Sequence, residues 1–156
     1  MKIIQLKSRK PQFVLALFCC LLSFSSCVSL VAPYDAQVNE KILVLSKSVD
    51  KFYLNMLETT SADNDGRAYK AFAKQYVDTE AELNSLLVMN KVRPLNKNST
   101  RICEITLQFW VKYKEAHKKA NMISDANIIL NRIYLRDLFY DMQVASEATR
   151  YLNSTK

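Results

Sequence analysis

The sequence predicts an all-α domain folded as an antiparallel up-down-up-down four-helix bundle. The 156-residue chain contains one glycine and three prolines, which are too few for the many turns of a β-rich domain. Apolar residues recur at spacings of three and four over long segments, which is the period of an amphipathic α-helix. Three polar breaks separate these segments into four helices, and similar helices with short connections usually form a bundle.

The first predicted helix begins after Asp35, a suitable N-cap residue, and ends near Thr59. One apolar stripe runs along it and consists of Val38, Ile42, Leu45, Val49, Phe52 and Met56. Three leucines widen this stripe, namely Leu43, Leu54 and Leu57. A wide stripe predicts that the helix has neighbours on two sides.

The polar segment 60–66 holds the single glycine and predicts a loop. Asp63, Asn64 and Asp65 raise the possibility of a calcium site. An EF-hand loop needs ligands at fixed positions and a closing glutamate, and no glutamate follows in register. A solvated turn is therefore the favoured interpretation, and we predict no metal site.

The second helix is predicted from about Arg67 to Met89, with Tyr69, Phe72, Tyr76, Leu83 and Leu86 in the core. Pro94 then favours a break, because the residue before a proline disfavours helical geometry. The third helix is predicted from Ser99, as N-cap, to Ala120. Its expected inward face consists of Ile102, Ile105, Phe109, Tyr113 and Ala116, with Leu107 and Trp110 beside it.

The fourth predicted helix begins at the cap Ser124-Asp125 and extends to about Tyr151. Its expected core positions are Leu135, Leu138, Phe139, Met142 and Ala145. These residues again follow spacings of three and four.

The N-terminal segment has the anatomy of a signal peptide. Four positive residues and no acidic residue precede Pro11, and an apolar run from Phe13 to Leu22 follows. Ten helical residues reach only about 15 Å, half the thickness of a bilayer's hydrocarbon core. We therefore predict that residues 1–26 are cleaved rather than retained as a membrane span.

The residues Phe24-Ser25-Ser26-Cys27 resemble the lipobox of bacterial lipoproteins, with Phe24 where that family usually has leucine. The resemblance implies cleavage before Cys27 and acylation of its thiol and its new amino terminus, by palmitate and similar chains. Two or three acyl chains give durable membrane anchoring. The predicted organisation is a signal peptide (1–26), a lipidated cysteine with its tether (27–34) and a helical bundle domain (35–156).

The segment after the cysteine adds to this resemblance. Cys27, then Ala32-Pro33-Tyr34-Asp35 and a heptad-patterned helix look like the start of small bacterial envelope lipoproteins. The resemblance implies a lipid-anchored protein of the cell envelope that faces the periplasm. By analogy with the sorting of enterobacterial lipoproteins, Val28 rather than aspartate after the cysteine favours the outer over the inner membrane. The resemblance implies no activity.

One alternative is an ordinary secretory signal with an incidental cysteine. A eukaryotic secreted helical factor belongs to this class, since Asn98 and Asn153 each begin an Asn-Ser-Thr glycosylation acceptor. The resemblance of residues 24–27 to a lipobox argues against this alternative.

Charge and cysteine content argue against a nucleic-acid-binding protein and against a fold held by disulfides. The chain carries a net charge of +7, but loss of the four positive residues of the signal peptide leaves +3. This is too little for a concentrated basic face, so we predict no nucleic-acid partner. Cys103 is the only cysteine beyond Cys27, so no intramolecular disulfide is expected, and its apolar surroundings predict a buried, inert thiol.

No credible catalytic set is present, and we predict a non-enzyme without a cofactor. His117 is the single histidine, and on a lysine-rich helix end it is expected to be solvated. A non-covalent haem held by His117 and Met56 or Met142 is the weakest of the hypotheses considered. The carboxylates Glu104, Asp137 and Asp141 are better explained by surface ion pairs than by acid–base chemistry.

Aromatic and cationic residues concentrate in the second half of the chain and predict a partner-binding surface. The candidate residues are Trp110, Tyr113, Lys114, Lys118, Tyr134 and Tyr140. The expected partner is another envelope protein with acidic character, or anionic lipid headgroups, and the alternative is that these aromatics lie at helix–helix contacts. The leading functional hypothesis is a membrane-anchored binding or scaffold module. The runner-up is a periplasmic carrier that holds a small ligand in a cavity of the bundle.

Overall fold

A computed structural model describes residues 31–154 of the protein. It contains four α-helices, which we label α1 (Ala36–Thr59), α2 (Tyr69–Lys91), α3 (Lys97–Ala120) and α4 (Asp125–Ser154). Within residues 31–154 there is no β-strand, so the predicted all-helical fold with four helices is confirmed. The predicted signal peptide and Cys27 lie outside the described residues.

Of the three predicted helix caps, Asp35 and Ser124 are confirmed and Ser99 is wrong. The Ser124 hydroxyl accepts from the backbone N–H of Asn127 at 3.3 Å at the start of α4. The Asp35 carboxylate caps α1 by accepting hydrogen bonds from the backbone N–H groups of Gln37 (2.9 Å) and Val38 (3.1 Å). The predicted cap at Ser99 is wrong, because α3 already begins at Lys97, where the Asn96 carbonyl accepts from the N–H of Thr100 (2.9 Å). The Asn96 side chain does not cap the helix.

The predicted core faces of α1 and α2 are confirmed. All six stripe residues of α1 are buried, and Tyr53 joins them. On α2, four of the five expected core residues are buried, and Tyr69 packs partly exposed against them. Leu43 is exposed, so the prediction that it widens the stripe of α1 is wrong.

The predicted inward face of α3 is wrong. The buried residues of this helix are Cys103, Thr106, Trp110 and His117. The predicted residues Ile102, Ile105, Phe109 and Tyr113 are only partly buried, and Ala116 is exposed. The true face follows the predicted one by a single position, which corresponds to a rotation of about 100° around the helix axis.

The predicted core of α4 is largely confirmed. Leu135, Phe139 and Met142 are buried, Leu138 and Ala145 are partly buried, and Ile128 adds a further core position. Every buried apolar residue of the described chain lies between Ala32 and Met142. The chain from Val31 onward therefore forms one compact unit with its own core.

Each helix packs against two others: α1 and α3 both contact α2 and α4. Ion pairs reinforce these contacts between helices. The Asp50 carboxylate accepts from Arg132 Nε at 2.6 Å between α1 and α4, and Lys114 Nζ donates to Glu80 at 2.6 Å between α3 and α2. Both pairs join a carboxylate of the first two helices to a cation of the last two.

Residues 31–35 lie against the end of the domain where α2 turns into α3. Ala32 is buried, and the Arg93 guanidinium donates to the carbonyl of Pro33 and lies 3.8 Å from the Asp35 carboxylate. The domain therefore holds the chain from Ala32 onward. None of the helices in residues 31–154 is long and apolar enough to cross a membrane.

Candidate functional site

The structure separates the six residues of the predicted partner-binding surface. Tyr134, Tyr140 and Lys118 are exposed, whereas Tyr113 and Lys114 are half-buried. Lys114 is held in ion pairs with Glu80 and Glu115. Trp110 is completely buried, so the prediction that it lies on a binding surface is wrong.

Trp110 is buried because it fills the centre of an aromatic cluster. Its ring lies 5.4 Å from Phe52, 6.1 Å from Tyr53 and 5.2 Å from Tyr76, measured between ring centroids. Its indole N–H donates to the backbone carbonyl of Tyr76 at 3.0 Å. A buried tryptophan with a satisfied N–H and several aromatic neighbours contributes to folding rather than to recognition of a partner.

His117 is also buried, which contradicts the expectation that it is solvated. Its Nε2–H donates to the carbonyl of Arg67 at 2.7 Å, and its Nδ1 accepts from the Tyr76 hydroxyl at 3.2 Å. Burial lowers the pKa of the imidazole, although the hydrogen bond to Arg67 opposes this. Both ring nitrogens are occupied within the protein, so His117 has no nitrogen free to coordinate haem iron.

The described residues offer no cluster for other metal or acid–base chemistry. No group of three or more His, Cys, Asp or Glu side chains within residues 31–154 could hold a metal ion. Glu104 pairs with Lys91 at 3.2 Å, and Asp137 lies 3.7 Å from Arg136. Cys103 is buried as predicted, and burial raises the pKa of its thiol to about 12, which keeps it protonated and unreactive.

A small cavity lies at the end of the bundle where α2 turns into α3. It is lined by Val38, Ile42, Asn90, Asn96 and Met142, among others, and has a volume of about 10 Å³. This volume holds at most about one water molecule. Its lining includes the Asn90 and Asn96 side chains, which hydrogen bond to each other at 2.8 Å.

The outer side of α4 carries an exposed apolar column, which we define as Leu130, Ile133, Asp137, Tyr140 and Val144. Its spacing alternates between three and four residues, so the five side chains lie in one line along the helix. Tyr140 is 65% exposed and Val144 is 50% exposed, although each is large and apolar over most of its surface. Large apolar side chains exposed along one helix face, here interrupted by Asp137, are typical of interaction sites in soluble domains.

Of the six predicted surface residues, Tyr140 belongs to this apolar column, and Tyr134 lies beside it. The other apolar members, Leu130, Ile133 and Val144, were missed by the sequence prediction. The signal was present, since a second line of apolar residues at heptad spacing runs opposite the core face of α4. The predicted lysines, Lys114 and Lys118, lie on α3, so the aromatic and cationic residues do not form one surface.

Comparison with known proteins gives no relative from which a role can be transferred. No family model matches the chain, and no significant match was found among curated proteins or among solved structures.

Proposed function

We propose that the protein is a lipid-anchored, non-enzymatic binding module of the bacterial cell envelope, with the apolar column of α4 as its docking surface. The observation that carries this proposal is the column itself. Four large apolar side chains are exposed in line on a helix whose opposite face is fully engaged in the core. Leaving such a line in water is unfavourable, and a partner helix would remove it from solvent.

The proposed occupant is an amphipathic helix of another envelope protein. Its apolar face would repeat at spacings of three and four to match the column. Asp137 stands in the middle of the column with an exposed carboxylate, so the partner helix is expected to carry a lysine or arginine opposite it. This replaces the acidic partner expected from the lysines, which lie away from the column.

The lipid anchor would allow a docking surface of modest area to hold its partner. Acylated Cys27 would confine the domain to one membrane, where its partner is also confined. Confinement raises the effective concentration of the partner, so that a weak contact is occupied without further buried area. The outer membrane is the proposed location, with the domain facing the periplasm.

The runner-up hypothesis, a carrier with a ligand inside the bundle, finds less support. The cavity of about 10 Å³ at the end of the bundle is far smaller than a site for even a small organic ligand. The exposed apolar column of α4 therefore supports a docking function better than this cavity supports ligand binding.

We further propose that the four helices run alternately up and down. Lys41, in the first half of α1, pairs with Glu82, in the second half of α2. Asn39 on α1 lies 3.3 Å from Glu147, late in α4. Contacts between the beginning of one helix and the end of another support antiparallel neighbours.

Substitution of Tyr140 and Val144 by serine is expected to weaken docking strongly while leaving the fold intact. The loss of an aromatic anchor and its neighbour should weaken the complex by at least about tenfold. Because both side chains are exposed, the free energy of unfolding should change by no more than about 0.5 kcal/mol for each substitution. A photo-crosslinker at Leu130, in cells that carry the full chain, would report the contact.

The matched control is serine at Val77 and Val88, two valines of α2 that are 58% and 60% exposed. The proposal is supported if position 130 crosslinks to an amphipathic helix of an envelope protein, and if only the Tyr140/Val144 variant loses that product. A crosslink to a second copy of the chain would overturn the proposed occupant. Equal crosslinking in both double variants would show that the column is not the docking surface.

Replacement of Cys27 by serine is expected to abolish acylation and membrane retention. A hydroxyl does not replace the thiol as acyl acceptor, so the precursor should stay uncleaved or the product should leave the membrane on washing. Intact mass of the extracted protein measures cleavage and acylation together. Cys20→Ser is the matched control, because Cys20 lies in the apolar run outside the lipobox. A Cys27→Ser protein that is matured and membrane-held like its parent would refute the anchor.

A further inference from the structure

A basic groove lies on the end of the domain where α2 turns into α3. It has a volume of about 530 Å³ and is lined by the cationic side chains Lys91, Arg93, Lys97 and Arg101, with Glu104 as the single carboxylate in its lining. Glu104 lies 3.2 Å from Lys91 and 3.6 Å from Arg101, and Lys97 forms no ion pair within residues 31–154. The lining of the groove carries a net charge of +3, and the Asp35 carboxylate, which lies 3.8 Å from Arg93 outside the lining, lowers the local charge to +2.

Two apolar side chains stand beside these cations. Val92 is 75% exposed and Leu95 is 59% exposed, both in the short turn between α2 and α3. Leu95 has φ = 59°, in the left-handed region that is unfavourable for leucine and free for glycine. The chain thus holds an exposed leucine at a position where glycine would be easier to accommodate, which indicates a use for its side chain.

The groove is tied to the point where the domain meets its tether. Arg93 lines the groove and also donates to the carbonyl of Pro33, two residues after Val31. Only four peptide units separate Cys27 from Val31, and a fully extended chain of this length spans roughly 14 Å. An acylated Cys27 would therefore hold this end of the domain close to the bilayer surface.

We propose that the basic groove binds the anionic surface of the bilayer, with its cations on phospholipid phosphates and with Val92 and Leu95 at the edge of the acyl region. This inference deepens the proposed function, since it rests on the lipid anchor for its location. The positive end of the α3 dipole, at Lys97, adds to the attraction for phosphate. Contact with the bilayer fixes the orientation of the domain, so that α4 presents its apolar column along a defined direction.

The test uses the unacylated chain from Val28 to Lys156, which retains the complete described core, after thermal unfolding has shown that it is cooperatively folded. Its binding to vesicles of neutral phosphatidylcholine and of phosphatidylcholine with phosphatidylglycerol is measured by co-sedimentation. We expect binding to the anionic vesicles alone. The variant Lys97→Gln/Arg101→Gln should bind at least about tenfold more weakly, because each cation near an anionic surface contributes several-fold to affinity.

Two further variants are expected to change vesicle binding in opposite directions, and a third variant serves as the control. Glu104→Gln frees Lys91 and Arg101 and should tighten binding about two- to fivefold. Leu95→Gly should weaken binding several-fold while it raises the thermal midpoint, which separates binding from stability. Lys47→Gln/Lys51→Gln removes two exposed lysines at the same i, i+4 spacing on α1, and this control should bind like the parent.

Four outcomes would overturn the proposal. They are equal binding to neutral vesicles, no binding to anionic vesicles, equal losses in the groove and control variants, and displacement by inorganic phosphate at constant ionic strength. The last would indicate a site for free phosphate instead of a lipid surface. The vesicle assay uses unacylated protein and tests only the basic groove. The intact-mass measurement tests only the anchor at Cys27, so failure of one proposal can be distinguished from failure of the other.

Discussion

Replacing Trp110 with alanine is expected to lower the free energy of unfolding by about 3–5 kcal/mol, the usual cost of truncating a buried tryptophan. The change removes the ring that packs against Phe52, Tyr53 and Tyr76, and it deletes the hydrogen bond to the Tyr76 carbonyl. Since domains of this size are stable by about 5–15 kcal/mol, the variant should be close to unfolding. Urea unfolding followed by far-UV circular dichroism measures the effect, because the single tryptophan is then unavailable as a fluorescent probe.

Two further variants make this result specific. Trp110→Phe keeps an aromatic ring and should lose less stability than the alanine variant. Tyr140→Ala removes an exposed aromatic side chain and should change the free energy of unfolding by at most about 0.5 kcal/mol. Similar losses for Trp110→Ala and Tyr140→Ala would contradict the assignment of Trp110 to the core and return it to the surface.

The sequence was sufficient to predict the helices but not the orientation of each one. On α1 a single line of six apolar residues stands out, and all six are buried. On α3 two lines compete, and the line with Ile102, Ile105 and Phe109 is more apolar than the true line, which includes Thr106 and His117. Hydrophobic periodicity favours the wrong face when buried polar groups are satisfied inside the fold.

Those polar groups are satisfied by partners that no local pattern reveals. The Thr106 hydroxyl donates to the carbonyl of Ile102 one turn earlier at 2.9 Å, which removes the cost of its burial. His117 finds its partners on α2 and on the loop before it, across 41 and 50 residues of sequence. Such long-range pairs are formed by tertiary packing, so a reading of one helix at a time misses them.

The candidate binding surfaces were also only partly predictable. Aromatic content drew attention to Tyr140, yet composition alone could not distinguish it from Trp110, which is one of the most deeply buried residues. The four cations of the basic groove lie within the sequence segment 91–101, but only the fold of two helix ends and a turn brings them to the lining of one groove. Its position beside Pro33 also depends on the fold, because Arg93 is 60 residues further along the chain.

The stability of the protein is expected to fall in mild acid, with His117 as a principal cause. Burial holds the pKa of the His117 imidazole below the value of about 6.5 that it has in the unfolded chain. The unfolded chain therefore binds a proton that the folded protein resists. Stability from this residue is fully present above pH 6.5 and is lost as the pH falls through the lowered pKa of the folded state. Urea unfolding at a series of pH values between 5 and 8 measures this dependence.

The variants His117→Gln and His117→Ala separate the effect of imidazole protonation on stability from the effect of imidazole packing. Glutamine does not titrate in this range. Between pH 7.5 and 5.5, the free energy of unfolding should therefore fall less in His117→Gln than in the parent protein. Alanine also deletes both hydrogen bonds and the contacts with Tyr69 and Tyr76, and should cost about 2–4 kcal/mol at neutral pH, as the loss of a buried hydrogen-bonded group does. An acid dependence that is unchanged in His117→Gln would show that other groups cause it. A neutral-pH cost near zero for His117→Ala would show that the imidazole is solvated, because the Arg67 carbonyl and the Tyr76 hydroxyl would then have lost nothing.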